Sequence, residues 1–264
     1  MFIFAEIFKM NKYLNLAFKM RIFRLSDFVD KTGMTISSAS TTLNRWKKAG
    51  VVYKIRRDLY CVKNPVGNIP ATHKFEIASK ISNSSFLSYH SALEFHGIGH
   101  QVFNVVMVSS KSAFRSFVFD DYDYKSYITK NIGMNGVITS SVNPNIRVTD
   151  LERTFVDCID RIGRAGGAEE LFHCFEGIYE LDMKKIKIYL ALYNKAHLYQ
   201  KVGYVLERFK DQINVHDDII ELCRKKGKVA VSNFSKTEKC DVFVKEWNLY
   251  IPKIIVKEDR HGII

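Results

Sequence analysis

His90, His96 and His100, with the Glu94 carboxylate among them, have the donor types that hold a first-row transition metal. Their spacing opposes that use. Gly97 and Gly99 interrupt the helix that would align His96 with His100, and no thiolate or second acid lies close by in the chain. Asp150, Glu152, Asp157 and Asp160 crowd one short stretch and could hold Mg²⁺. However, acids in a first helical turn suit the helix dipole, and Arg153 stands four residues before Asp157, the spacing of an ordinary ion pair. Gly163-Arg164-Ala165-Gly166-Gly167 resembles a phosphate loop only loosely, because it lacks a Lys-Ser/Thr ending and is followed by Glu169 and Glu170. No Gly-x-Ser-x-Gly elbow occurs. The residues therefore predict no catalytic group, no metal and no cofactor.

The chemistry the sequence does favour is recognition of a polyanion. Residues 1–64 hold 13 Lys/Arg against 4 Asp/Glu, whereas residues 65–264 hold 27 against 24. Solubility needs charge anywhere on a surface; a polyanion needs it on one face. The local side chains fit duplex DNA. Ser37, Ser38 and Thr41 are short polar groups able to reach base edges, Arg45 follows as a long cation, and Lys47 and Lys48 stand nearer the phosphates. Lys54, Arg56 and Arg57 form a second group suited to the backbone or a minor groove.

A winged helix-turn-helix over residues 25–62 would position these groups. Ser26 is expected to cap a first helix ended by Gly33, and Thr35 a second helix ended by Gly50. In the second, Ala39, Leu43 and Trp46 recur at helical period and turn to the core, leaving the polar and cationic positions opposite. Residues 51–55 and 59–62 read as strands of a wing, with Arg56, Arg57 and Asp58 at its turn. That turn lacks the glycine a tight hairpin prefers; Asp58 can adopt the left-handed conformation at some cost, and the sequence leaves the turn geometry open.

The whole chain reads as α+β: a winged helix-turn-helix domain over 1–64, a Pro/Gly-containing linker at 65–70, and a larger mixed α/β domain over 71–264 with a mostly helical distal part. Thr149 and Glu152 have capping-box spacing at the start of a helix whose inward stripe is Leu151, Phe155, Cys158 and Ile159. Another helix is expected over 217–226, ended by Gly227, and residues 241–256 are β-rich. At 47% apolar and 13% aromatic residues, the composition supports buried cores. Five widely spaced cysteines, none in a CxxC, argue against disulfides and for a reducing cytoplasm. The opening MFIFAEIFKM reads as a short amphipathic helix rather than a signal peptide, and no run is long and apolar enough to span a bilayer.

Several segments resemble the antitoxins of AbiE abortive-infection systems, type IV toxin-antitoxin modules of bacteria. They are the winged helix at 25–62, SALEFHGI at 91–98, RVTDLERTFVDCIDRIGRAGGAEEL at 147–171, KVGYVLERF at 201–209 and, more loosely, DVFVKEWNLYIP at 241–252. The resemblance implies a cytoplasmic repressor that binds inverted repeats upstream of its own operon. It also implies a phage-defence antitoxin that counteracts a nucleotidyltransferase toxin without a stable complex. DNA contact would fall to the N-terminal domain and antitoxin activity to the C-terminal one. The DNA-reading positions carry over as Ser37, Ser38, Thr41 and Arg45, with Arg56 and Arg57 on the wing; the wing-tip glycine is the main departure. No catalytic residue carries over to Asp150, Glu152 or Arg153. The competing readings are a nuclease or nucleotidyltransferase that docks through the winged helix, and an interaction module whose positive face meets an acidic protein.

Overall fold

The computed structural model describes residues 12–129, 132–228 and 230–256; the expected amphipathic start at 1–10 lies outside them. The described chain opens with α1 (Lys12–Met20), β1 (Ile22–Arg24), α2 (Leu25–Thr32), α3 (Ile36–Lys48), β2 (Val52–Arg56) and β3 (Leu59–Val62). Gly33, at φ 69°, ends α2, and the Thr35 hydroxyl caps α3 by accepting from the Ser38 N–H at 3.2 Å. Ser26 is not the cap of α2. The helix starts two residues earlier than a Ser26 cap would allow, directly from β1 with Arg24 as its N-cap, and Asp27 accepts the Arg24 N–H at 2.9 Å.

The three strands form an antiparallel sheet in the order β1-β3-β2. Alternation gives it two apolar faces. Phe23, Val52, Tyr60 and Val62 meet Phe28, Leu43 and Trp46 of α2 and α3, with Leu14 and Ala17 of α1. Ile22, Ile55, Leu59 and Cys61 point the other way, into a second cluster with Phe75, Ile77, Leu87, Val106 and Val148. Residues on both sides of the 65–70 segment thus share one core. That segment is exposed apart from a half-buried Pro70, and its ends are drawn together where the Asn64 N–H donates to Ile69 at 2.8 Å and Ala71 to Val62 at 2.9 Å.

Beyond it come α4 (Lys74–Lys80), β4 (Phe86–Leu87), α5 (His90–Phe95), β5 (Val105–Ser110), β6 (Phe117–Phe119), β7 (Tyr122–Ile128), β8 (Val137–Thr139) and β9 (Arg147–Thr149). These strands make a six-stranded mixed sheet, β6-β7-β5-β4-β9-β8. In β5, Val106 and Val108 face the N-terminal sheet and α4, while Met107 faces the distal helices. The central sheet is therefore covered on both sides, which suits its parallel β5/β7 and β4/β9 pairs.

The distal part comprises α6 (Leu151–Asp160), α7 (Ala168–Glu176), α8 (Met183–Tyr193), α9 (Ala196–Arg208), α10 (Lys210–Ile213) and α11 (Asp217–Lys226), followed by β10 (Ser232–Asn233), β11 (Val242–Val244) and β12 (Leu249–Ile251). The last three form a small sheet in the order β10-β12-β11. Gly203 in α9 admits Trp247, whose ring carbons stand 2.2 Å from where a Cβ would lie. Among the described residues, no helix is long and apolar enough to cross a membrane.

Candidate nucleic-acid interface

Helix α3 is anchored by Ala39, Leu43 and Trp46, all buried, and its opposite face presents Ser37, Ser38, Thr41, Arg45, Lys47 and Lys48, all exposed. Arg45, Lys47 and Lys48 make no ion pair with any described residue, so their charge is available to a partner. No acid sits in the first turn of α3, which leaves its positive dipole end open to phosphate. Ser38 is committed in part, since its hydroxyl accepts from Thr35 Oγ1 at 3.0 Å. Ser37 and Thr41 are the freer base-reading positions.

The expected wing is present, and Asp58 takes the left-handed conformation at φ 60°. Lys54 is exposed, shares its side of β2 with Val52, and lies 5.9 Å from the Tyr60 ring centre. That is the side the helices cover. Arg57 projects from the tip with 91% of its side chain exposed, paired only to Asp58 at 3.6 Å. Arg56 does not join them. Its guanidinium rests 5.3 Å from the Phe114 ring centre and 5.2 Å from that of Phe117, on the side of the central sheet. The cause is a register shift between Lys54 and Arg56: one extra residue in β2 reverses the alternation beyond it. Replacing Arg56 by Ala is therefore expected to destabilise the protein by about 1–3 kcal/mol through two lost cation–π contacts, while the salt dependence of DNA binding stays unchanged. Denaturation and anisotropy titrations on one variant separate the two effects.

The acids of α6 do not converge on a shared vacant point. Asp150, not Thr149, is the N-cap, accepting the Arg153 N–H at 2.8 Å; Thr149 belongs to β9 and its hydroxyl meets Thr154 Oγ1 at 2.7 Å. Asp150 also receives the Tyr189 hydroxyl at 2.6 Å. Glu152 accepts the Asp182 N–H at 3.1 Å and pairs with Lys185 at 3.2 Å, instead of returning to the cap. Asp160 is chelated by Lys195 at 2.8 and 2.7 Å. Asp157 lies against Arg153 at 3.3 Å and takes the Tyr193 hydroxyl at 2.5 Å. Burial raises the Asp157 pKa, and the Arg153 charge opposes that rise.

The histidines have partners that sequence proximity did not reveal. His90 Nε2 lies 2.9 Å and Cys174 Sγ 3.2 Å from Glu170 Oε1, while His100 Nδ1 is 3.2 Å from Oε2. The expectation that no sulfur ligand or second acid stands near them is corrected in space: α7 supplies the Glu170 carboxylate and the Cys174 thiol, at positions four apart on its inward face. That i,i+4 pair was the available signal. His90, Glu170 and Cys174 have donor atoms close enough together to hold a metal ion. Glu170 Oε1, however, also accepts the backbone N–H groups of His100 at 3.1 Å and Gln101 at 2.9 Å, so this oxygen already has four partners. His96 stands apart, with Nε2 2.8 Å from the Thr149 carbonyl.

Burial alone would raise the Glu170 pKa, but the Gln101 N–H, His90, Cys174 and His100 together hold it at about 2. A folded pKa below the ordinary 4.5 contributes stability that is complete above about pH 4.5 and is lost as pH falls toward 2. Glu170→Gln is expected to remove that acid-dependent loss and to lower stability at pH 7. Urea midpoints measured between pH 2.5 and 7 check both.

These elements define a mixed α+β protein in which a winged helix is fused, through a shared apolar core, to a sheet-and-helix body. No family model and no curated protein matches the sequence. Among solved structures, the fold is similar to the crystal structure of the RV2827C protein from Mycobacterium tuberculosis, with a TM-score of 0.64 at 11% identity over 90% of this chain and 89% of that one. At that identity the likeness shows the fold alone.

Proposed function

We propose that this protein is a DNA-binding transcriptional autorepressor and, as its resemblance to the AbiE antitoxins implies, the antitoxin of a type IV module. The observation that carries the DNA reading is the exposed face of α3, where Ser37, Thr41, Arg45, Lys47 and Lys48 stand on a rigid buried stripe with the cations unpaired. Short hydroxyls at the front of a helix and cations behind them match base edges and flanking phosphates of duplex DNA. Arg57 and Lys54 add a second point of attachment. Sharing a core with the central sheet fixes the angle at which the winged helix meets DNA. Antitoxin activity is assigned to residues 71–264, acting in the cytoplasm against a nucleotidyltransferase without a lasting complex.

Anisotropy titration of a duplex from upstream of the gene, with scrambled duplex as competitor, tests the DNA reading. Preferential binding that weakens steeply with salt supports it, and equal affinity for both duplexes opposes sequence-specific repression. Rescue of growth on co-expression with the neighbouring nucleotidyltransferase tests the antitoxin reading separately.

A further inference from the structure

Lys201 in α9 is an unpaired cation with only 6% of its surface exposed. It makes no hydrogen bond or ion pair with any described residue; its ammonium lies 5.9 Å from the Phe234 ring centre. Around it, Arg161, Lys195, His197 and Lys236 line a cleft of about 530 Å³ between the end of α6, the start of α9 and the 234–237 loop. Asp160 is the sole acid lining that cleft, and it is already engaged by Lys195 at 2.7 Å and Arg161 at 3.3 Å.

A largely desolvated cation without an ion pair is costly, and here like charges add to the cost. Burial lowers the Lys201 pKa to about 8; Asp160 opposes the drop, and Lys236 and Arg161 add to it. Burial, then Lys201, Lys195 and Lys236, similarly lower that of His197, against Asp160. Cations that discourage one another's protonation produce a positive field that a polyanionic ligand would relieve.

We propose that this cleft binds an oligophosphate, as carried by pyrophosphate or a nucleoside triphosphate. The cations outnumber the single, committed acid, which calls for more than one negative charge on the ligand. The exposed Thr237 supplies a hydroxyl at the rim, and the cleft is large enough for a nucleotide. Gly163 and Arg164 of the loosely phosphate-loop-like turn line the cleft, but the start of α7 is no phosphate cradle, because Glu238 already accepts its first N–H, that of Ala168, at 3.0 Å. Side chains build this site. It is independent of the DNA reading.

Calorimetric titration and thermal shift of the full chain in phosphate-free buffer test it, with pyrophosphate, ATP, AMP, adenosine and sulfate as probes. Pyrophosphate and ATP are expected to bind and raise Tm, AMP to bind more weakly, and adenosine and sulfate to have no comparable effect. Lys201→Met and the exposed-site Lys236→Ala should each weaken pyrophosphate binding by roughly tenfold or more. Lys201→Met should also raise Tm without ligand; should it fail to fold, Lys236→Ala decides. Arg57→Ala must leave pyrophosphate binding intact. The proposal is overturned by no response to millimolar pyrophosphate, by an equal response to sulfate, or by wild-type affinity in Lys236→Ala. It is also overturned if duplex DNA displaces pyrophosphate and Arg57→Ala abolishes binding of both, since the anion would then occupy the DNA face.

Discussion

Replacing Arg45, Lys48 and Arg57 together by Ala is expected to weaken binding to the operator duplex about a hundredfold at low salt. It should also flatten the log-log salt dependence by roughly 2.7, about 0.9 for each lost phosphate contact. All three side chains are exposed, so the fold has little to lose. Thr41→Ala makes the contrasting case: removing a base-reading hydroxyl should narrow the gap between operator and scrambled duplex and leave the slope unchanged. An unaltered slope in the triple variant, with circular dichroism intact, would remove α3 from the interface.

Arg153→Met is expected to cost about 3–5 kcal/mol in folding stability, a fall in Tm of roughly 10 °C, although the residue is not among those lining the proposed oligophosphate cleft. Arg153 is 2% exposed and lies 5.1 Å from the Phe86 ring centre. Its Nη1 donates to the carbonyls of Gly133 at 2.9 Å and Asn135 at 2.5 Å, and its Nε faces Asp157. Loss of the guanidinium leaves the buried Asp157 carboxylate without its counter-charge and removes a donor from the carbonyls of half-buried Gly133 and exposed Asn135. The double variant Arg153→Met/Asp157→Leu should recover part of the loss, because removing both partners of a buried pair costs less than removing one. A double variant less stable than the sum of its parts would place the stabilisation in packing rather than in charge. Equilibrium urea unfolding of the four forms measures this.

The same residues show how far the sequence could be read. Helix-dipole and i,i+4 arguments give the acids of 150–160, Asp150, Glu152, Asp157 and Asp160, structural roles. Their partners, Tyr189, Lys185 and Lys195, come from α8 and the turn beyond it, which no spacing rule connects to α6. For the same reason only half of the histidine-to-Glu170 cluster is legible: the Glu170/Cys174 spacing marks one helical face, but His90 and Glu170 are joined by folding, not by period. The order of the central sheet was equally hidden, since β4 is two residues long and pairs with both β5 and β9.

What the sequence determined by itself was local. The buried stripe of α3, its Thr35 cap, the Gly33 turn and the α11 stop at Gly227 all follow from helical period and backbone sterics acting over a few residues. Tertiary structure alone decided which cations remain free. One extra residue in β2 sent Arg56 to the aromatic rings of the central sheet and left Arg57 at the tip, and helix packing desolvated Lys201 without giving it an ion pair. Charge is written in a side chain; its availability depends on distant neighbours that desolvate or neutralise it, and only the folded chain brings those neighbours near.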